Sequence, residues 1–166
     1  MNRSALTLLL AMTASVAMAG VDEGIESLVL SAARNGHPIE GMVQGRALVA
    51  VPVLKDKCFS VGVVYPKERG PRIGGPRIDN FRVCDNTVEP VEEVSPALPE
   101  DRAMQQTTIR VIRGALRYGA QRADWHGYRI GALRLAPTDP SGCAQVETVV
   151  SYDGMLVAHQ VGRMCP

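Results

Sequence analysis

The sequence predicts an α+β fold of two tandem α-β-β-β repeats, with one or two antiparallel sheets. We expect one helix and one disulfide-stapled hairpin in each repeat. Three observations support this prediction: a segment of the chain recurs 85 residues later, a helical pattern precedes each copy, and four cysteines form two similarly spaced pairs. A repeat of this kind is typical of the duplication of one supersecondary unit.

The first 19 residues have the pattern of a secretory signal peptide. Arg3 supplies a short positive region, an apolar run covers 5–12, and Ala17-Met18-Ala19 matches an A-x-A cleavage site. The apolar run is shorter than the roughly 18 residues of a membrane span, and no later segment reaches that length. We expect cleavage after Ala19 and no transmembrane segment in the mature chain, with a retained N-terminal anchor as the alternative. The Ala- and Arg-rich composition suggests a bacterial protein, in the periplasm or secreted.

Removal of 1–19 leaves 147 residues, enough for one domain or two small lobes. This mature chain has 17 basic and 17 acidic residues, so its formal charge is zero. Nucleic-acid binding depends on an excess of basic charge. We therefore expect no nucleic-acid partner, and the distribution of charge becomes more informative than its sum.

The first repeat, 20–84, begins with an amphipathic helix. Apolar residues follow helical spacing after Asp22-Glu23, and Asn35-Gly36 marks the end of the pattern. A second helix is predicted over 101–122, at the start of the second repeat, 101–166. The two apolar faces consist of Ile25, Leu28, Val29, Ala32 and Ala33 in the first helix, and of Val111, Ile112, Ala115, Leu116 and Gly119 in the second.

After each helix comes a related segment, ALVAVPVLKDKC at 47–58 and ALRLAPTDPSGC at 132–143. Six of eighteen positions are identical at this offset: Ala47/Ala132, Leu48/Leu133, Pro52/Pro137, Cys58/Cys143, Val61/Val146 and Val64/Val149. Each copy continues as a cysteine-led strand, a turn and a returning strand that ends at a second cysteine. In the second copy Asp153-Gly154 is a strong hairpin signal before a strand over 155–164. In the first copy a longer loop precedes a strand over 78–83.

Four cysteines in an exported chain predict disulfides. Three pairings are possible, and we expect Cys58–Cys84 and Cys143–Cys165, because each pair lies at the open end of one hairpin, where paired strands are close enough for a disulfide. The members of each pair are 26 and 22 positions apart, and no C-x-x-C is present. These spacings do not favour a zinc site, so we expect no metal and no cofactor.

Between the repeats, 85–100 carries three prolines, five acids and no base, which predicts a solvated, semi-extended linker. The repeats could form two lobes joined by this linker, or one pseudo-symmetric domain with a single sheet bearing both helices. A three-stranded sheet has exposed edges, which favours the merged arrangement.

The sequence contains no established catalytic pattern. There is no G-x-S-x-G, H-E-x-x-H or Walker motif, and the three histidines are scattered. A Ser-His-Asp set could combine His126 and Asp124 with Ser60 or Ser151, but nothing in the sequence brings these residues together. We therefore predict no catalytic residues, and an enzyme is less favoured than a binding protein.

Two basic regions and one tryptophan are the candidate binding residues. The loop PKERGPRIGGPRI, 66–78, has four bases, Lys67, Arg69, Arg72 and Arg77, against one acid, and it replaces the tight Asp-Gly turn of the other repeat. On the second helix Arg110, Arg113 and Arg117 cluster opposite the apolar face. Trp125 is a candidate interface anchor. The alternatives are a solvated loop, a solvated helix face and a core tryptophan.

These features favour an exported, non-catalytic protein-binding module of the bacterial envelope, of the inhibitor, adaptor or assembly-component type. Its partner would be another envelope or secreted protein with an acidic surface, which the basic hairpin loop would attract. A binder of polyanions or surface glycans is the alternative, and a small periplasmic hydrolase built around His126 is less favoured.

Overall fold

The computed structural model describes residues 21–55, 57–69, 75–93 and 96–166, and the predicted signal segment lies outside them. It confirms the α+β class with two disulfides and two antiparallel sheets, which we name sheet A (β1-β2-β3-β4-β5) and sheet B (β6-β7-β8-β9). In chain order the elements are α1 (Glu23–Asn35), β1 (Ile39–Val43), β2 (Arg46–Lys55), β3 (Cys58–Arg69), β4 (Pro76–Cys84), β5 (Thr87–Pro90), α2 (Arg102–Tyr118), β6 (Ala120–Trp125), β7 (Tyr128–Arg134), β8 (Ala144–Tyr152) and β9 (Met155–Met164). The arrangement is repeat-like, and each half has an additional strand before the predicted three.

Helix α1 matches its prediction, whereas α2 ends earlier than predicted. The Asp22 carboxylate accepts hydrogen bonds from two backbone amides of the first turn, and Gly36 ends α1 in the left-handed conformation. The prediction that α2 continues to Arg122 is wrong. Gly119, at φ 93°, ends the helix at Tyr118, and the residues that follow pair with β7 as β6.

The two sheets stay separate, so the single-sheet arrangement is not adopted. Helix α1 covers one face of sheet A and α2 covers one face of sheet B, each over its own hydrophobic core. The uncovered face of sheet A lies against β9, an edge strand of sheet B. A third, smaller core forms there, which we call the junction core: buried Val51, Val53, Val64 and Leu156, with Val49, Ile78 and Val149 partly buried beside them.

The register of the strands changes which residues of the two halves correspond in the first predicted strand. The β1–β2 and β6–β7 hairpins both turn through two positive-φ residues, Gln44-Gly45 and His126-Gly127, which are 82 positions apart. Leu48 therefore corresponds to Ile130, and both are buried in the helix-covered cores, whereas Leu133 lies 46% exposed on the other face. Beyond this strand the offset is 85, because Val49 pairs with Val64, 15 positions later, whereas the equivalent Gly131 pairs with Val149, 18 positions later. The identities after the cysteines are thus structural equivalents, and those before them are not.

The predicted linker is partly ordered as sheet. Its residues 87–90 form β5 on the edge of sheet A, paired with β4. Beyond β5, the Tyr128 hydroxyl donates a hydrogen bond to the carbonyl oxygen of Ala97 at 3.0 Å, which ties the connection to the second half of the molecule. Within the described ranges, neither helix is both long and apolar enough to cross a bilayer.

The disulfide prediction is confirmed, with Cys58 bonded to Cys84 and Cys143 bonded to Cys165. Each bond closes the open end of a hairpin, β3–β4 in the first half and β8–β9 in the second. Cysteines that are paired in this way are typical of proteins that fold in an oxidising, extracytoplasmic compartment.

We expect replacement of either pair by alanine to lower the free energy of unfolding by about 3 kcal/mol, because each bond closes a loop of similar length. Urea denaturation of Cys58→Ala with Cys84→Ala, and of Cys143→Ala with Cys165→Ala, measures this loss. Non-reducing peptide mapping of the wild-type chain provides the control, and a Cys58–Cys143 peptide would contradict the pairing.

Candidate binding surface

The outward face of α2 carries a concentrated positive charge. Met104, Val111, Ala115 and Leu116 are buried against sheet B, which turns Arg110, Arg113 and Arg117 to the exposed side. Arg102 lies on the same face at the start of the helix. Sequence reasoning missed it, although its helical spacing from Arg113 could have revealed it. We call these four residues the arginine stripe.

No acidic side chain compensates the arginine stripe within the described part of the chain. Helix α2 contains no Asp or Glu, and none of the ion pairs that the described residues form includes an arginine of the stripe. The acids of the preceding connection do not neutralise it either, because Glu92, Glu93 and Glu100 are exposed and form none of these pairs. Arg117 stacks over the ring of Tyr118, with the guanidinium carbon 5.8 Å from the ring centroid.

The arginine stripe has mixed effects on the helix that carries it, since the helix dipole favours Arg117 in the last turn but not the other arginines. Like charges three or four positions apart repel each other by a few tenths of a kcal/mol, as at Arg110, Arg113 and Arg117. Arg102 lies in the first turn, where the helix dipole disfavours a cation. Helix α1 has the opposite, favourable pattern, with Glu23 and Glu26 in its first turn.

Two exposed apolar side chains border the arginines. Ile109 is 49% exposed and Tyr118 is 71% exposed. Arg134 of β7 donates a hydrogen bond to the carbonyl oxygen of Leu116 at 2.7 Å, which holds the end of α2 on sheet B. The surface therefore combines fixed backbone geometry, cationic groups and apolar contact area, which together are typical of a protein-binding surface.

In the second predicted basic region, 66–78, part of the positive charge is compensated by neighbouring carboxylates. Lys67 is exposed, Arg72 lies outside the described residues, and of Arg69 only the backbone pairing with Pro76 is described. Arg77 forms two hydrogen bonds to the Asp79 carboxylate, at 2.6 and 3.1 Å, and a third to Glu68 at 3.3 Å. Its charge is therefore compensated at the base of the loop.

These contacts form a network at the base of the β3–β4 hairpin. Glu68 also accepts a hydrogen bond from Arg46 at 3.1 Å, and the Arg77 guanidinium lies 4.5 Å from the ring centroid of Tyr65. Burial raises the pKa of Tyr65 to about 12, and the Asp79 carboxylate adds to the shift. The network balances two cations against two carboxylates, so the charges of Arg46 and Arg77 are compensated within the protein.

Trp125 contributes to an aromatic row at one end of sheet B. Its ring centroid lies 6.1 Å from that of Tyr128, which lies 4.8 Å from that of Tyr152. Trp125 is partly buried against the core beneath α2. The structure thus places it at the rim of the core beneath α2.

The residues considered for catalysis are not assembled. His126 is exposed in the β6–β7 turn against the ring of Trp125, and Asp124 pairs with Arg129 instead. Ser60 and Ser151 are buried within strands β3 and β8. Sequence reasoning did miss one ionisable pair, His159 and Glu147, whose Nε2 and Oε1 atoms lie 2.8 Å apart. The two side chains are 8% and 9% exposed and lie in neighbouring strands, which the alternating pattern of the strands could have suggested.

The described residues contain no group of three or more His, Cys, Asp or Glu side chains that could hold a metal ion. No family model, curated protein or solved structure matches the chain.

We expect Tyr65→Phe to make stability less sensitive to alkaline pH. The pKa of Tyr65 is higher in the folded protein than in the unfolded chain, so its contribution is present below about pH 10 and is lost as the pH rises through about 12. Between these limits the wild type should lose roughly 2 kcal/mol more than the variant. Urea unfolding at pH 9.5 and pH 11.5 measures the difference, with Tyr118→Phe as the exposed control. Equal losses in wild type and Tyr65→Phe would refute the assignment.

Proposed function

We propose that the protein is a non-catalytic binding module, exported to the bacterial envelope, that recognises an acidic surface on another envelope or secreted protein. The observation that carries this proposal is the arginine stripe, which has four cations on one rigid helix face and no compensating acid among the described residues. The basic loop at 66–78 would be a second contact region, through Lys67 and the arginines beyond the network.

The positive charge of such a surface affects both the rate and the selectivity of binding. Uncompensated cations raise the rate of encounter with an acidic partner and exclude basic ones. Arginine is suited to this role because its planar guanidinium binds a carboxylate through two parallel hydrogen bonds. Since the mature chain has no net charge, the attraction would be local to α2 rather than a property of the whole molecule.

The second candidate, a binder of polyanions or surface glycans, uses the same arginines. The exposed side chains of Ile109 and Tyr118 favour a protein partner, because a strongly hydrated polyanion gains little from apolar contact. Tyrosine and arginine are also the residue types that most often dominate the energy of protein interfaces.

Export is the part of the proposal that concerns location. The two disulfides support an oxidising compartment outside the cytoplasm. Cleavage of a signal peptide after Ala19, and a periplasmic or secreted mature chain, follow from the pattern of the first 19 residues.

We expect Arg110→Glu with Arg113→Glu to abolish partner binding. A photoreactive amino acid at Gln106, an exposed position within the stripe, should crosslink the partner in living cells, and the double variant should reduce the adduct by about tenfold or more. The yield should also fall as ionic strength rises, because exposed charges are screened within about 10 Å at 0.1 M salt. Mass spectrometry identifies the captured protein.

Arg34→Glu with Arg82→Glu is the matched control, because it changes the net charge equally at exposed positions outside α2. A photoreactive residue at Ser27 on α1 tests whether capture is specific to the α2 face. An adduct at Gln106 that persists unchanged in the α2 double variant would exclude the arginine stripe as the binding site.

We expect Ile109→Ser to separate the two candidate functions. Loss of the apolar contact should weaken a protein partner several-fold, while binding of a soluble polyanion such as polyglutamate or heparin should remain within twofold. Crosslinking yield and titration calorimetry measure the two effects. Equal weakening of both would count against the protein-partner interpretation.

A further inference from the structure

The junction core depends on one leucine of β9 that packs against the face of sheet A opposite α1. Leu156 is fully buried, and it packs with Val51, Val53 and Val64, which belong to β2 and β3. Gly62 makes this close approach possible, because a Cβ atom at that position would overlap the Leu156 side chain. The side chain therefore occupies a site whose shape requires glycine beneath it.

The same site also binds the backbone of Leu156. Asn80 is 5% exposed, and its side-chain oxygen accepts a hydrogen bond from the Leu156 amide at 2.8 Å. Its side-chain nitrogen donates to the Leu156 carbonyl oxygen at 3.2 Å. Two hydrogen bonds from one carboxamide and one apolar pocket together recognise a single residue of an extended strand. We call this site, formed by Gly62, Asn80, Val51, Val53 and Val64, the leucine receptor.

Each half of the molecule has its own hydrophobic core and disulfide, independent of this contact. The first lobe, α1 with β1–β5, and the second lobe, α2 with β6–β9, have separate cores of eleven and ten buried residues. Each has its own disulfide, whereas the junction core has four buried residues. Opening of the junction would therefore leave the core and the disulfide of each lobe in place.

The connection between the lobes permits such a separation. The eleven residues of 91–101 lie between β5 and α2, and Pro96 and Pro99 are among them. Prolines favour extended backbone, which directs a connection outward rather than back on itself. A separated molecule would expose the apolar walls of the receptor and the buried Asn80, and this surface must be covered again.

We infer that a second copy of this chain covers it, by exchange of second lobes, so that each leucine receptor is filled by Leu156 of the other molecule. The contacts are those already present in one chain, so exchange requires no new interface and closes as a symmetric dimer. The dimer would carry two arginine stripes, so it could bind an acidic surface at two points with increased avidity.

Two complementary variants of the full-length chain test the exchange. Gly62→Ala blocks the receptor and keeps Leu156, whereas Leu156→Asp removes the apolar side chain and keeps the receptor. Neither variant can form a native junction with itself, but an exchanged pair forms one. We expect the two variants, given tags of different mass, to form a 1:1 dimer when mixed at high concentration, at least fivefold above either variant alone. Size-exclusion chromatography with light scattering and native mass spectrometry measure this.

Mixtures of one variant with itself under the two tags are the matched controls, because they report non-specific association of opened molecules. Non-reducing peptide mapping and circular dichroism establish that both variants keep their disulfides and secondary structure. A mixture with no more mixed dimer than these controls would overturn the inference.

A second measurement does not depend on substitutions in the junction. Deletion of 92–99 leaves three residues between β5 and α2, which can span at most about 15 Å. This restricts the return of the second lobe to its own receptor, so we expect the dimer fraction to be higher than in the wild type at every concentration. Tyr128→Phe, which removes only the hydrogen bond to Ala97, should keep the dimer fraction of the wild type. A folded deletion variant with no more dimer than the wild type would count against exchange.

Discussion

Each small sheet has two faces but only one helix to cover them, and in sheet A the second face is covered through its contact with Leu156 of β9. The side chain packs into an apolar site over Gly62, while Asn80 satisfies the backbone of the same residue. Because the backbone groups stay paired, β9 can approach the face of another sheet without leaving buried polar atoms unsatisfied. The layer order helix, sheet A, sheet B, helix depends on this contact.

This layer order decides which surfaces are available to a partner. Since sheet B meets the face of sheet A opposite α1 through β9, both helices lie away from this junction, and the polar face of each is exposed. The first turn of α1 carries two acids, which the helix dipole favours, whereas the first turn of α2 carries Arg102, which it does not. Two halves of similar architecture therefore differ in surface chemistry, and the difference is concentrated on one helix.

The arginines of the β3–β4 hairpin show why basic residues in a sequence are not equivalent. Arg77 was as strong a candidate as Arg113 by composition, but the sheet register places it beside Asp79 and across from Tyr65. Its charge is thus compensated within the protein. Among the residues that the structure describes, Arg113 has no such acidic partner, because the apolar face of α2 turns it away from sheet B and the helix itself carries no acid.

The sequence by itself determined the α+β class, the bounds of α1, the β8–β9 hairpin and both disulfides. These features depend on local rules: helical periodicity, capping residues, an Asp-Gly turn and cysteines at hairpin ends. It also located Arg110, Arg113 and Arg117 on one helix face, although their role as a binding site remains a prediction. The early end of α2 was missed because Gly119 was assigned to the apolar face rather than to the cap.

Only the tertiary structure decided the rest. The match of Leu48 with Leu133 suggested equivalent strands, yet the two residues lie on opposite faces of their sheets, since a shift of three residues inverts a pattern of period two. The separation of the two sheets, the Leu156 contact and the compensation of Arg77 likewise involve residues far apart in the chain. Periodicity and spacing describe what a segment can form, but which face meets which neighbour is fixed only when distant segments compete to bury their apolar surfaces.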